Sequence, residues 1–233
     1  MNIRRSAGGG PFAHVIYLKR EEIDKMCEDT LRVAKLLPDD PSPINIEGFI
    51  ENHLGSRLDF ATDLGAEVLG FTFFSPKGKP EVIGISPSLD EGTKVSERRI
   101  RATLAHEAGH GLIHPILFME DGVQQQLLNS NVDLTQRRIL CRKNDINPNG
   151  KYDGRWWEFQ ANCAIGGFLL PKRLVAKCVN HLTRTVGLLG GQILEPLARA
   201  EAEALVAETF EVNPVVARIR LAAIFPEQAH PEL

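Results

Sequence analysis

Cysteine is scarce in this chain. Cys27, Cys141, Cys163 and Cys178 are the 4 in 233 residues, and no two form a C-x-x-C pair. That spacing argues against a disulfide-stapled scaffold or a cysteine-rich zinc site. It predicts free, largely buried thiols in a reducing compartment. No apolar run approaches the roughly 20 residues that span a bilayer. The N-terminal stretch "MNIRRSAGGGPFAHVIYLKR" carries positive charge but lacks the apolar core of a signal peptide, so the expected location is the cytoplasm. Positive charge is not in excess either: 27 Lys and Arg face 30 Asp and Glu, for a net charge of -3. This argues against nucleic acid as the main partner.

With 43% hydrophobic and 24% charged residues, the composition is that of an ordinary globular protein able to bury a sizeable core. Residues 1–17 read as an N-terminal tail, with three consecutive glycines before Pro11. Apolar spacing predicts a helix within 18–37, stopped by "PDDPSP", and a second over 45–54. The segments "RLDFATD", "AEVLGFTFF" and "PEVIGISPS" read as strands of a small antiparallel sheet, with a hairpin turning near 76–80. A helix capped at Ser96 runs up to Pro115, and 120–154 reads as polar and irregular. Further helices fit 155–170, 172–183, 193–210 and 214–224. The order helix, sheet, helices indicates an α+β fold. Its core spans 18–183, with a C-terminal helical segment, 184–233, packed on it.

The chemistry concentrates in "RATLAHEAGHGLIHP". His106 and His110 stand four apart, so on a helix they share one face about 6 Å apart along the axis. Two imidazoles so placed can converge on one ion. Glu107, turned by about 100°, can instead reach a water and accept its proton. The competing reading is the polar side of a helix. It is weakened by the apolar surroundings, where two histidines and a carboxylate need partners. His114 lies about 12 Å along the axis from His106, too far for all three histidines to meet at one ion on a regular helix. It reads as a hydrogen-bonding histidine near the helix end. The longer H-E-x-x-H-x-x-G-x-x-H pattern fails, because Ile113 and Ile116 occupy its Gly and last His positions.

A catalytic zinc site takes a third protein ligand. The best candidate is Glu158 in "RWWEFQANCAIGGFLLP", on the first turn of a predicted helix, with Asp145 and Asp153 as rivals in the preceding loop. The alternative for Glu158 is an acid favoured by the helix dipole. Asn162, one turn on, could accept the outer N–H of a ligand histidine.

"RRIRATLAHEAGHGLIH" followed by "EFQANCAIGGFLLP" resembles the ImmA/IrrE metallopeptidase family, in which a H-E-x-G-H helix is followed by E-x-x-A-N and an apolar run ending L-L-x-P. The similarity covers roughly 45–171. It implies a zincin-like core and a Zn²⁺ site with His106, His110 and Glu158 as ligands, Glu107 as general base and Asn162 as their supporting partner. It also implies an endopeptidase acting on a regulatory protein, such as a transcriptional repressor encoded nearby, often in a mobile element. Many members carry an N-terminal helix-turn-helix, for which 1–44 has too few helices. Tyr152 and His181 are candidate oxyanion donors by residue type. The alternative is a regulatory protein-interaction or DNA-binding factor that keeps a zinc site without turnover. In that use Arg218 and Arg220, on the last helix, would face phosphates or bases, opposed by the acidic helix before it.

Overall fold

The computed structural model describes residues 2–5, 12, 14–119, 132–133, 137–146, 154–186 and 191–226. Among them are seven α-helices and three small sheets, a mixed α+β arrangement. The described residues on either side of the glycines depart from the expected tail. Strand β1 (Asn2–Arg5) pairs antiparallel with β2 (His14–Tyr17), with Ile3 opposite Ile16. Phe12, only 5% exposed, packs edge-on against Phe118 and Trp157. The apolar residues flanking the glycines thus have a partner surface that sequence periodicity could not reveal.

Helix α1 (Arg20–Val33) buries Ile23, Cys27 and Leu31 on one face, a spacing of four that matches the helical repeat. Helix α2 (Ile46–Gly48) continues into a π-helical turn, Phe49–Leu54, that ends at Gly55 in the left-handed region. The central sheet has the order β3-β5-β4-β7-β6. Strands β3 (Arg57–Asp59), β4 (Val68–Phe74) and β5 (Pro80–Ile85) lie where the sequence predicts strands. The sheet is not wholly antiparallel, however. The chain reverses on entering β4 and again on entering β5, so β3 and β5 run the same way and pair in parallel.

A second departure lies in the segment read as irregular. "RILCR" forms β7 (Arg138–Arg142), which pairs antiparallel with β4 and buries Ile139 and Cys141. Burial alternates along it, with Ile139 and Cys141 inside and Arg138, Leu140 and Arg142 on the other side, the period of a strand with one buried face. β6 (Val132–Asp133) pairs on its outer side.

Helix α3 (Lys94–Ile113) lies against the sheet and α4 (Trp156–Leu169) against α3. Its cap is Thr93, one turn before the expected Ser96. Ser96 is instead the partner in a reciprocal capping box, its N–H donating to Thr93 Oγ1 at 3.1 Å. In the turn before it, Gly92 N donates to Asp90 Oδ1 at 3.0 Å, so the Asp90 side chain is engaged there and Thr93 supplies the cap. From Ala102 to Gly111 every residue of α3 is buried. The helices approach closely at Gly109, where a Cβ would lie 2.7 Å from Ala164 Cβ and 3.2 Å from Ala161 Cα. Small residues at that crossing bring the first turn of α4 onto the histidines.

Helix α5 (Lys172–Cys178) leads to the hairpin β8 (Thr183–Val186) and β9 (Gly191–Leu194), a strand pair the sequence reading did not anticipate. Helices α6 (Arg199–Thr209) and α7 (Pro214–Ile224) follow. Val206, Phe210, Val212, Ala217 and Leu221 join α1, α3 and α4 in one hydrophobic core. Full burial of a side chain such as Phe168 or Phe210 contributes about 1.5–3 kcal/mol. A smaller cluster of Phe12, Ile16, Phe74, Leu117, Phe118, Ile139 and Trp157 covers the end of the sheet beside α4. Among the described residues no helix is long and apolar enough to cross a membrane.

Candidate metal centre

The structure brings His106 and His110 of α3 against Glu158 of α4, all three buried. His106 Nε2 and His110 Nε2 lie 3.1 Å apart. Glu158 Oε2 lies 3.2 Å from His106 Nε2 and 3.6 Å from His110 Nε2. Tetrahedral coordination with bonds of about 2.0–2.1 Å separates neighbouring donors by about 3.3–3.4 Å. The three atoms therefore form a triangle of the size that one ion would close. Glu158 Oε1 is buried with no hydrogen-bond partner among the described residues, which also suits a carboxylate that ligates a cation. These buried groups could hold a metal ion.

Glu107 points the other way, toward the sheet. Thr72 of β4 donates its hydroxyl to Glu107 Oε2 at 2.6 Å and also lies 3.1 Å from the Glu107 carbonyl. Glu107 Oε1 is buried without a partner among the described residues. A side chain at Gly70 would intrude here: its Cβ would lie 2.9 Å from Gly84 O and 3.1 Å from Glu107 Oε1. Cys141, across from Gly70 on β7, forms a second close group with His106 and Glu107 whose ligand atoms all lie within 4.8 Å of one another.

Burial pushes the Glu107 carboxyl up to about 8, against the opposing pull of His106 and of the Thr72 hydroxyl. Burial also opposes the charge on Glu158, but His110 and His106 win and hold that carboxyl well below its usual range. For His106, burial disfavours the cation, yet the hydrogen bond to Glu158 raises its pKa above the ordinary histidine value. Burial moves His110 the other way, and it takes His114 well below that value with help from the neighbouring His110.

His114 behaves as a hydrogen-bonding histidine at the helix end. Its Nδ1 lies 3.0 Å from His110 Nδ1 and its Nε2 3.0 Å from Gln160 Oε1. Gln160 Nε2 donates to the Ile16 carbonyl at 2.7 Å. Asn162 does not take the role expected of it. Its amide donates to the Asp145 carbonyl at 2.7 Å, and its Oδ1 has no partner among the described residues. One helical turn past Glu158 is about 6 Å along α4, which carries Asn162 away from the histidines to the turn that holds Asp145. The outer nitrogen of His110 meets His114 instead, and that of His106 is without a partner among the described residues.

Asp145, a rival ligand, is engaged elsewhere. Its carboxylate accepts from Arg142 N at 2.7 Å and pairs with Arg155. Asp153 and Tyr152 lie outside the described residues. His181 is exposed on a short turn after α5, whereas the residues of the centre are buried. Arg220 is likewise unavailable to a phosphate: it is buried, donates to the Leu170 carbonyl at 2.8 Å and pairs with Asp24.

Sequence reasoning missed Thr72, Cys141 and Gln160. An alternating strand pattern marks Thr72 and Cys141 as inward-facing only once the strands are placed. No motif marks a glutamine two residues after an acid. All four cysteines are free thiols. No family model and no curated protein matches the chain.

Proposed function

We propose that the chain is a zinc-dependent endopeptidase of the ImmA/IrrE type, built on a zincin-like core, that cleaves a regulatory protein. The observation that carries this reading is the triangle of His106 Nε2, His110 Nε2 and Glu158 Oε2, with edges of 3.1, 3.2 and 3.6 Å, beside a carboxylate that is not part of it. A His₂Glu set suits zinc. When bound, zinc supplies Lewis-acid activation of water and of a peptide carbonyl.

The chain's own residues supply the rest. Glu107 takes a proton from the attacking water and passes it to the leaving amine. In the metal-free protein burial raises its pKa to about 8, and a bound dication would draw it back down toward the range of a base. Thr72 holds one carboxylate oxygen and leaves Oε1 for that exchange. The substrate is an extended segment of a regulatory protein, such as a transcriptional repressor encoded nearby, met in the cytoplasm. The test is elemental analysis of the purified protein, followed by its incubation with the product of a neighbouring regulator gene, with and without chelator. Stoichiometric zinc and chelator-sensitive cleavage are expected. Chelator-insensitive cleavage, or a protein that takes up no divalent metal, overturns the proposal.

One observation favours a second reading. His106, His110 and Glu107 are fully buried and Glu158 nearly so, which sets the centre away from a peptide at the surface. A regulatory factor that keeps its ion without turnover would bind zinc, bind its partner and leave it whole. The engaged Arg220 speaks against the DNA-binding form of that reading.

A further inference from the structure

We propose that the backbone carbonyl of Ile16 sets the tautomer of His110 through Gln160 and His114, making both side chains positioning residues for the metal centre and tying the N-terminal strand pair to it. The direction follows from one end of the chain of hydrogen bonds. A backbone carbonyl can only accept. The Gln160 atom 2.7 Å from Ile16 O is therefore the amide NH₂, and Gln160 Oε1 is the atom that faces His114. An amide oxygen also only accepts, so His114 Nε2 carries the hydrogen. In a neutral imidazole the other nitrogen is then an acceptor, and His114 Nδ1, 3.0 Å from His110 Nδ1, takes the hydrogen from that atom. His110 is left with its lone pair on Nε2, the atom in the triangle with His106 and Glu158. Each member of this relay is buried, so water does not compete for the links.

His106 has no such relay, since its Nδ1 is without a partner among the described residues. With His110 Nε2 an acceptor 3.1 Å away and Glu158 Oε2 at 3.2 Å, His106 Nε2 carries a hydrogen in the metal-free protein. Of the two histidines, His110 is preset for ligation, whereas His106 must first free Nε2, its remaining ring hydrogen then sitting on Nδ1 and any second proton passing to solvent. The inference rests on the proposed metal centre only in treating His110 as a ligand. The direction of the hydrogen bonds does not depend on it.

Long-range ¹H–¹⁵N spectra of the metal-free, histidine-labelled full chain test this, with signals assigned through single variants. Expected are Nε2–H for His114, Nδ1–H for His110 and a hydrogen on Nε2 of His106. Zinc should remove only the last and leave His110 unchanged. His114 found as Nδ1–H, or His110 as Nε2–H, overturns the proposal. Gln160→Met should leave His114 a mixture of tautomers and weaken zinc binding on the order of 10–100-fold. A pure Nε2–H signal with unchanged affinity in that variant removes Gln160 from the relay. If the wild-type protein takes up no zinc at all, the metallopeptidase reading fails, while the metal-free spectra still decide the relay.

Discussion

His106 and His110 belong to one motif on one helix, yet their outer nitrogens meet opposite surroundings. Behind His110 lies a closed line of hydrogen bonds through His114 and Gln160 to the backbone of β2. Behind His106, toward the sheet, lie two atoms without partners among the described residues, His106 Nδ1 itself and Glu107 Oε1, with the Cys141 thiol close by. A satisfied network holds geometry, whereas unpaired buried groups are costly and are retained where chemistry needs them. The His110 side is thus held by a closed network, while the unpaired groups among the described residues gather on the His106–Glu107 side, where the proposed base lies.

The largest effect should come from the residue both sides share. Glu158→Ala removes the third corner of the triangle, and zinc affinity measured by competition with a chromophoric chelator should fall by more than about 100-fold, beyond the cost of any supporting residue. An affinity within tenfold of wild type would remove Glu158 from the ligand set.

Phe12→Ala attacks the support from its far end. Phe12 fills the cluster that covers Trp157 and Phe118, so the loss in denaturant unfolding should be about 3–5 kcal/mol. An N-terminus that behaved as a free tail would show no change. Trimming residues 1–12 should therefore cost stability, where the glycine-rich sequence alone predicts none.

Glu107→Gln sharpens the contrast on the reacting side. It should retain the metal and abolish cleavage, since it removes a base and not a ligand. It also has a pH signature in the metal-free protein. The folded-state pKa of Glu107 is raised from 4.5 to about 8, so its neutral form is favoured by folding. That contribution is fully present below pH 4.5 and is lost as pH rises through about 8. The variant, always neutral, should melt with wild type in acid and a few degrees higher above pH 8. Parallel melting curves at both ends would mean that Glu107 titrates normally.

The smallest effect is expected at Asn162. Its amide holds the Asp145 carbonyl and touches neither histidine, so Asn162→Ala should lower stability by about 1 kcal/mol and leave zinc affinity within a few-fold. A drop of 10-fold or more would restore it as a partner of His106.

Sequence alone determined the parts of this protein whose information is local. The four-residue spacing of His106 and His110, the offset of Glu107 and the exclusion of His114 as a ligand follow from helical rise and rotation. The helices α1, α3, α4 and α7 follow from apolar period and proline punctuation. The pairing of Glu158 with the histidines was legible as a candidate because one rigid turn carries it. Only the tertiary structure decided what depends on contacts between distant segments. The parallel β3–β5 pair, the place of β7 in the sheet and the docking of Phe12 all needed a partner surface that pattern does not encode. Gln160 owes its role to Ile16, 144 residues earlier, and Asn162 loses its role to a turn that happens to hold Asp145. A hydrogen bond is decided within about an ångström. Helical spacing places a side chain on a face, and the packing of α4 across Gly109 and Ala161 determines which atom it meets.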